Sequence, residues 1–267
     1  MSNPTIHISA VQMDIVWHHP EANRAQLDGI LASTNESTDI IILPEMFTTG
    51  FTMDVPASAE VYSDDMNTLV WMQSWASKLN AIVTGSVAVN VSGKCFNRLF
   101  WVRPDGSFST YDKRHLFRMA SEDQHFKPGK ELLIEEYKGW KICPLICYDL
   151  RFPVWSRNRL VNAEHLYDIL IYVANWPQVR REPWKKLLLA RAIENQCYVV
   201  GVNRVGTDGN GHSYSGDSSF IDPKGEYLLE LQDAKNTLRS CTVDYSSLLD
   251  FRMKFPVMND ADIFELK

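Results

Sequence analysis

The stretch Lys141-Ile142-Cys143-Pro144-Leu145-Ile146-Cys147-Tyr148-Asp149-Leu150-Arg151-Phe152-Pro153 carries an apolar run into an abrupt polar turn. Residues 142–147 have the length and bulk of a buried strand, and Pro144 opposes a helix. Cys147 therefore stands at a strand's end. There a thiol is held rigidly and can still meet a substrate, as a nucleophile requires. Cysteine is also a small hydrophobe that is often buried and inert, so its role depends on what the rest of the chain brings to it.

Outward from this stretch, short apolar runs alternate with amphipathic ones. Strands are expected over residues 5–11, 39–43, 81–90, 94–102, 107–112, 168–173 and 197–203. Helices are expected over 20–33, 67–79, 153–164 and 182–196. Leu69, Met72 and Ala76 would share one face of the second helix. Ser92-Gly93 and Pro104-Asp105-Gly106 mark turns, and Pro223-Lys224-Gly225 is the turn of a hairpin joining 218–222 to 226–231. The rhythm is α/β with hairpins mixed in, which predicts mixed rather than purely parallel sheets. No low-complexity linker divides the chain. It reads as a single domain over 1–267, with a weakly patterned C-terminal tail from about 248 that would wrap over the body or a partner.

Composition narrows the function classes. With 45% hydrophobic residues the chain can bury a core without staples, and a net charge of −6 argues against a general affinity for nucleic acid. No charged leader precedes an apolar stretch, and no apolar run is long enough to cross a bilayer, so the chain reads as cytoplasmic. Cys95, Cys143, Cys147, Cys197 and Cys241 form an odd, scattered set that suits a reducing compartment. Cys143 and Cys147 lack a second pair at zinc-site spacing, so neither a metal nor another cofactor is expected.

Two more segments end apolar runs with a chemical group. Glu45 follows Asp39-Ile-Ile-Ile-Leu-Pro44, and strand carboxyl ends are where ligand sites gather in α/β sheets. A solvated loop charge is its alternative reading. Lys113, in Tyr111-Asp-Lys-Arg-His-Leu-Phe117, is either part of a surface charge cluster or an ammonium that stabilises an oxyanion. His115 is a possible base for a thiol, although its flanks read as structural. Arg151, four residues past Cys147, would hold a carboxylate bidentately or pair internally.

Taken together, Leu43-Pro-Glu-Met-Phe47, Tyr111-Asp-Lys-Arg-His-Leu-Phe117 and Ile146-Cys-Tyr-Asp-Leu-Arg-Phe-Pro153 resemble the nitrilase, or carbon–nitrogen hydrolase, superfamily. The match is closest to its omega-amidase branch and related bacterial proteins, and it extends from Thr5 to Gly225. The resemblance implies a four-layer α-β-β-α sandwich, dimerised across two chains. It implies a Glu45–Lys113–Cys147 triad in which Glu45 is the base and Cys147 forms a thioester. Lys113 and the Tyr148 N–H would meet the oxyanion, at about 3–4 kcal/mol per donor. Glu122 matches a second catalytic glutamate found in several members, and either it or Glu45 would activate the water that hydrolyses the thioester. Arg151 matches a carboxylate clamp, with Trp176 and Phe117 as aromatic walls.

The substrate so implied is a short 2-oxo acid ω-amide such as 2-oxoglutaramate or 2-oxosuccinamate, cleaved with water to the dicarboxylate and ammonia. The rival with the same fold is a hydrolase of N-carbamoyl amino acids or aliphatic amides. The rival of another class is a non-catalytic module that binds a ligand or partner, in which Cys147 simply packs.

Overall fold

The computed structural model describes residues 5–34, 37–231 and 235–265. Within them the chain builds two mixed sheets by the same plan. In the first, Thr5–Gln12, Ile40–Ile42 and Ile82–Val91 run parallel, and the antiparallel strands Lys94–Val102 and Phe108–Asp112 continue from the last of these. In the second, Trp140–Ile146, Ile169–Ala174 and Tyr198–Asn203 run parallel, and Ser218–Ile221 and Tyr227–Leu231 extend them antiparallel. The sheets are mixed, as the hairpin signals predicted.

Alternation along the strands explains how these sheets stack. Ile40 and Ile42 join Ile6, Ile8, Leu99 and Trp101 in a core shared with Ile142, Ile169 and Ile171 of the other sheet. Ile41 points the opposite way, with Val11, Val83 and Phe100, onto Leu27 and Leu31 of helix Pro20–Ala32 and Leu69, Met72 and Ala76 of helix Asn67–Leu79. The period of two in a strand thus separates sheet-to-sheet packing from helix-to-sheet packing. Burying each such aliphatic side chain contributes roughly 1.5–3 kcal/mol. Helix Arg181–Asn195 covers the second sheet through Trp184, Leu188 and Ala192. A Cβ at Gly201 would stand 2.5 Å from Leu188 Cδ1 and 2.9 Å from Trp184, so glycine is what lets that helix approach. The result is the expected α-β-β-α layering.

One expected helix is absent. Residues 153–164 instead turn and enter a small hairpin of Leu160–Val161 with Glu164–His165. Asn162 and Ala163 both adopt positive φ, 51° and 65°, as its two-residue turn demands. Asn158 stabilises the non-helical path: its side chain donates to the Tyr167 and Asn195 carbonyls and accepts from the Tyr167 amide.

The end of the chain is more ordered than its pattern suggests. Strand Thr237–Asp244 pairs antiparallel with Thr5–Gln12, and helix Tyr245–Lys254 follows. The Asp244 carboxylate caps that helix by accepting the Ser247 N–H at 2.6 Å. Its buried Arg252 pairs with Asp168 at 2.6 Å and donates to the carbonyls of Gln196 and Tyr167, both at 2.9 Å. The segment from 248 therefore begins inside a helix fixed to the body.

Candidate active site

Glu45, Lys113, Cys147 and Asn175 each follow the last residues of a strand, and the two-sheet stack brings these ends together. Glu45 and Lys113 are almost wholly buried, and their ion pair closes at 2.9 Å. Removing charges from water costs several kcal/mol per ion unless they are paired and hydrogen-bonded. Here nearly every oxygen is used. Glu45 Oε1 also accepts from Asn97 Nδ2 at 2.8 Å, and Oε2 accepts from the Asn175 N–H at 2.8 Å. The Asn175 amide donates in turn to the Glu45 carbonyl.

Glu122 lies in the same buried cluster. Both its oxygens stand 3.0 Å from Lys113 Nζ, Oε1 accepts from Asn97 Nδ2 at 3.3 Å, and Oε2 accepts the Phe117 N–H. Burial works against the Lys113 charge, yet Glu122 and Glu45 beside it raise its pKa above the ordinary lysine range. Burial pushes the Glu122 carboxyl up, with Lys113 pulling against it. Burial also pushes the Cys147 thiol well up, and the charge of Glu45 adds to that effect while Lys113 opposes it. These effects favour the neutral thiol, and the sulfur donates to the Asn175 carbonyl at 3.9 Å, beside the residue whose N–H is held by Glu45.

Cys147 is held in an uncommon backbone conformation. Its φ is +43°, in the left-handed region that costs a non-glycine residue about 1–3 kcal/mol, and it opens the tight turn Cys147–Arg151. Asp149 fixes that turn. Its Oδ2 accepts the Ile146 N–H at 3.1 Å and the Tyr111 hydroxyl at 2.8 Å, and Oδ1 accepts the His115 N–H at 2.9 Å. His115 Nδ1 lies 2.8 Å from the same oxygen, and its ring stacks on Phe152 with centroids 3.8 Å apart. His115 is thereby committed to the turn and not to the sulfur.

A cavity of about 490 Å³ opens onto the thiol. Lys113, Phe117, Tyr148, Arg151 and Trp176 line it, so the structure gathers every cavity-facing group expected from the sequence. Glu45 and Glu122 sit behind Lys113. The Arg151 guanidinium lies over the Trp176 ring at 4.9 Å, and Phe117 meets Tyr148 edge to face at 5.0 Å.

Other members escaped the sequence reading. Asn97 lies mid-strand and Asn175 directly precedes Trp176, and neither amide carries a signal of its own. Arg180, from the short turn Gln178–Arg180, also lines the cavity, as do Asp208 and Tyr214, the latter from the strand Ser213–Ser215. The polar Asn175-Trp176 step after a six-residue apolar strand was the one available cue, since it repeats the Glu45 and Cys147 pattern.

Comparison with known proteins agrees with this geometry. The profile of the family described as carbon-nitrogen hydrolase matches residues 7–252. An omega-amidase YafV of Escherichia coli K12 is 46% identical over 98% of this chain and 99% of its own. A 2-oxoglutaramate amidase of Bacillus subtilis is 33% identical over 95% and 96% of the two chains. Among solved structures, the CN-hydrolase superfamily protein XC1258 of Xanthomonas campestris superposes with a TM-score of 0.95. It is 42% identical and covers 98% of this chain and 99% of its own; its active site carries an arsenic adduct.

Proposed function

The chain belongs to the carbon–nitrogen hydrolase family, and from that premise we propose that it hydrolyses the terminal amide of short 2-oxo acid ω-amides. The products are the dicarboxylate and ammonia, and 2-oxoglutaramate and 2-oxosuccinamate are the substrates in view. The chain is a hydrolase of carbon–nitrogen bonds. The observation that carries the finer reading is one cavity with the thiol and Lys113 at its floor and Arg151 on its wall.

In the proposed sequence the Cys147 sulfur bonds to the amide carbon while its proton passes to Glu45. The carbonyl electron pair moves onto oxygen, where Lys113 Nζ and the Tyr148 N–H stabilise it. Collapse breaks the carbon–nitrogen bond. Glu45 returns its proton to the nitrogen, ammonia leaves, and the acyl group remains as a thioester. Water then attacks that carbon and gives a proton to Glu45. A second collapse expels sulfur, which recovers the proton, and the carboxylate departs. Glu122 has its oxygens occupied by Lys113, Asn97 and the Phe117 N–H. We assign it the task of holding Lys113 charged and in place.

Arg151 would select the substrate by forking onto its carboxylate from the Trp176 platform. The test is ammonia release by purified protein from 2-oxoglutaramate, N-carbamoyl amino acids, neutral aliphatic amides and nitriles. The reading expects the ω-amide to lead by at least about tenfold in kcat/KM. Arg151→Lys, which keeps the charge and loses the fork, should narrow that lead mainly through KM. A neutral amide preferred by the wild type, or an unchanged order in the variant, would retire the assignment.

The same proposal includes a second copy of the chain as partner. Helix Tyr245–Lys254 leaves Leu249 and Met253 exposed, with Phe255 just beyond it, an apolar edge that self-association would cover. A monomeric mass by light scattering at working concentration would remove that part. Among the described residues no helix is long and apolar enough to cross a membrane.

A further inference from the structure

The cavity holds one more guanidinium than an ω-amide with a single carboxylate needs. Arg180 lines it together with Arg151 and Cys147. The two arginines arrive by parallel routes: Arg151 ends the turn after Trp140–Ile146, and Arg180 ends the short turn Gln178–Arg180 that follows Ile169–Ala174, its neighbour in the sheet. Each lies on an aromatic ring, Arg151 over Trp176 at 4.9 Å and Arg180 over Phe117 at 5.3 Å. The two positions are tied together, since Trp176 Nε1, beneath Arg151, donates to the Arg180 carbonyl at 2.7 Å.

What marks this pair within the cavity is what the two guanidinium groups lack. Arg98, Arg181, Arg204 and Arg252 each meet a carboxylate. Among the described residues, neither the Arg151 nor the Arg180 guanidinium has a hydrogen bond or ion pair, and each has only its aromatic face. The acids lining the cavity do not neutralise them. Asp208 is committed to the Tyr214 hydroxyl at 2.8 Å and to the N–H groups of Asn210 and His212 at 2.9 Å. Asp54 forms an ion pair with neither arginine among the described residues. Two half-buried, unneutralised forks facing one cavity call for a ligand with two adjacent acceptors.

We infer that Arg180 is a specificity-determining residue that donates to the 2-oxo oxygen of the substrate while Arg151 takes the neighbouring carboxylate. This rests on the ω-amide reading above and deepens it. In a 2-oxo acid the keto and carboxylate oxygens sit on adjacent carbons, so one end of the molecule meets two planar donors. An amide acid without the keto group leaves the Arg180 fork unused. The site would then prefer 2-oxo acids to their saturated counterparts by the worth of a charge-assisted hydrogen bond, on the order of 10- to 100-fold in kcat/KM.

The experiment compares 2-oxosuccinamate with succinamate, which differ only in the keto group, in wild type, Arg180→Ala and Arg151→Ala. Titration of the Cys147 thiol confirms in each variant that the site is assembled. The wild type should favour 2-oxosuccinamate. Arg180→Ala should collapse that ratio towards unity, whereas Arg151→Ala should lower both substrates and keep the ratio. An unchanged ratio in Arg180→Ala overturns the inference, as does a wild type that treats the two substrates alike. Failure of the wild type to cleave either one refutes the ω-amide reading itself, a result distinct from a lost ratio.

Discussion

Cys147→Ala is expected to lower ammonia release from 2-oxoglutaramate by about 10⁴-fold or more, with folding retained. Covalent catalysis divides a hard displacement into two easier steps, and losing the nucleophile removes both. The methyl group of alanine occupies less room than the thiol at a position only 9% exposed, so the turn fixed by Asp149 should survive. A thermal melt close to that of wild type would confirm that the loss is chemical. If most activity persisted in a correctly folded variant, the thioester route would be wrong.

Glu45→Gln should reduce amide turnover by about 10²- to 10⁴-fold, the usual worth of a placed general acid–base group. The substitution nearly conserves shape but turns one carboxylate oxygen into a donor. That donor would oppose Lys113 Nζ or the Asn175 N–H, which now approach at 2.9 and 2.8 Å. In the proposed thioester-forming half, Glu45 has two proton tasks: accepting from the thiol and returning the proton to the departing nitrogen. An ester with a phenolate leaving group needs only the first. The variant should therefore lose more on an amide than on a matched phenyl ester. Equal losses on both would show that Glu45 acts only on the thiol.

Much of the layout could be read from local pattern because strand alternation is a local property. Ile40, Ile41 and Ile42 already state which faces must be covered, and the structure covers both. Glu45, Lys113 and Cys147 were legible because each follows such a run at its carboxyl end, whereas Glu122, Trp176 and Phe117 were reached only through the family resemblance. What stayed hidden depends on partners distant in sequence. Asn97 in its strand looks like any polar strand residue until Glu45 and Lys113 fold against it. Arg252 carries no signal of its own, because Asp168 and the carbonyls of Gln196 and Tyr167, all far away in the chain, are what make its burial tolerable. Residues 153–164 showed helical spacing, but the bonds of Asn158 to Tyr167 and Asn195 hold a turn there instead. Arg180 offered no cue, because a guanidinium on a loop becomes informative only when its lack of an acid partner can be seen.

The site also shows how fold and chemistry share their costs. Two carboxylates and an ammonium are buried behind a neutral thiol, which stays neutral because burial and Glu45 raise its pKa. If Glu45 is the base and Cys147 the nucleophile, as proposed, such a cluster would keep them side by side without exposing a thiolate to oxidants. In the proposed mechanism proton transfer would accompany attack, with Lys113 in place for the charge that would develop on oxygen.

The most direct test of the covalent account is mass spectrometry of enzyme quenched in acid during turnover of 2-oxoglutaramate. An acyl adduct is expected on the peptide containing Cys147, discharged by hydroxylamine and absent in Cys147→Ala. Sustained ammonia release with that peptide unmodified at every time sampled, together with an active Cys147→Ala variant, would contradict it.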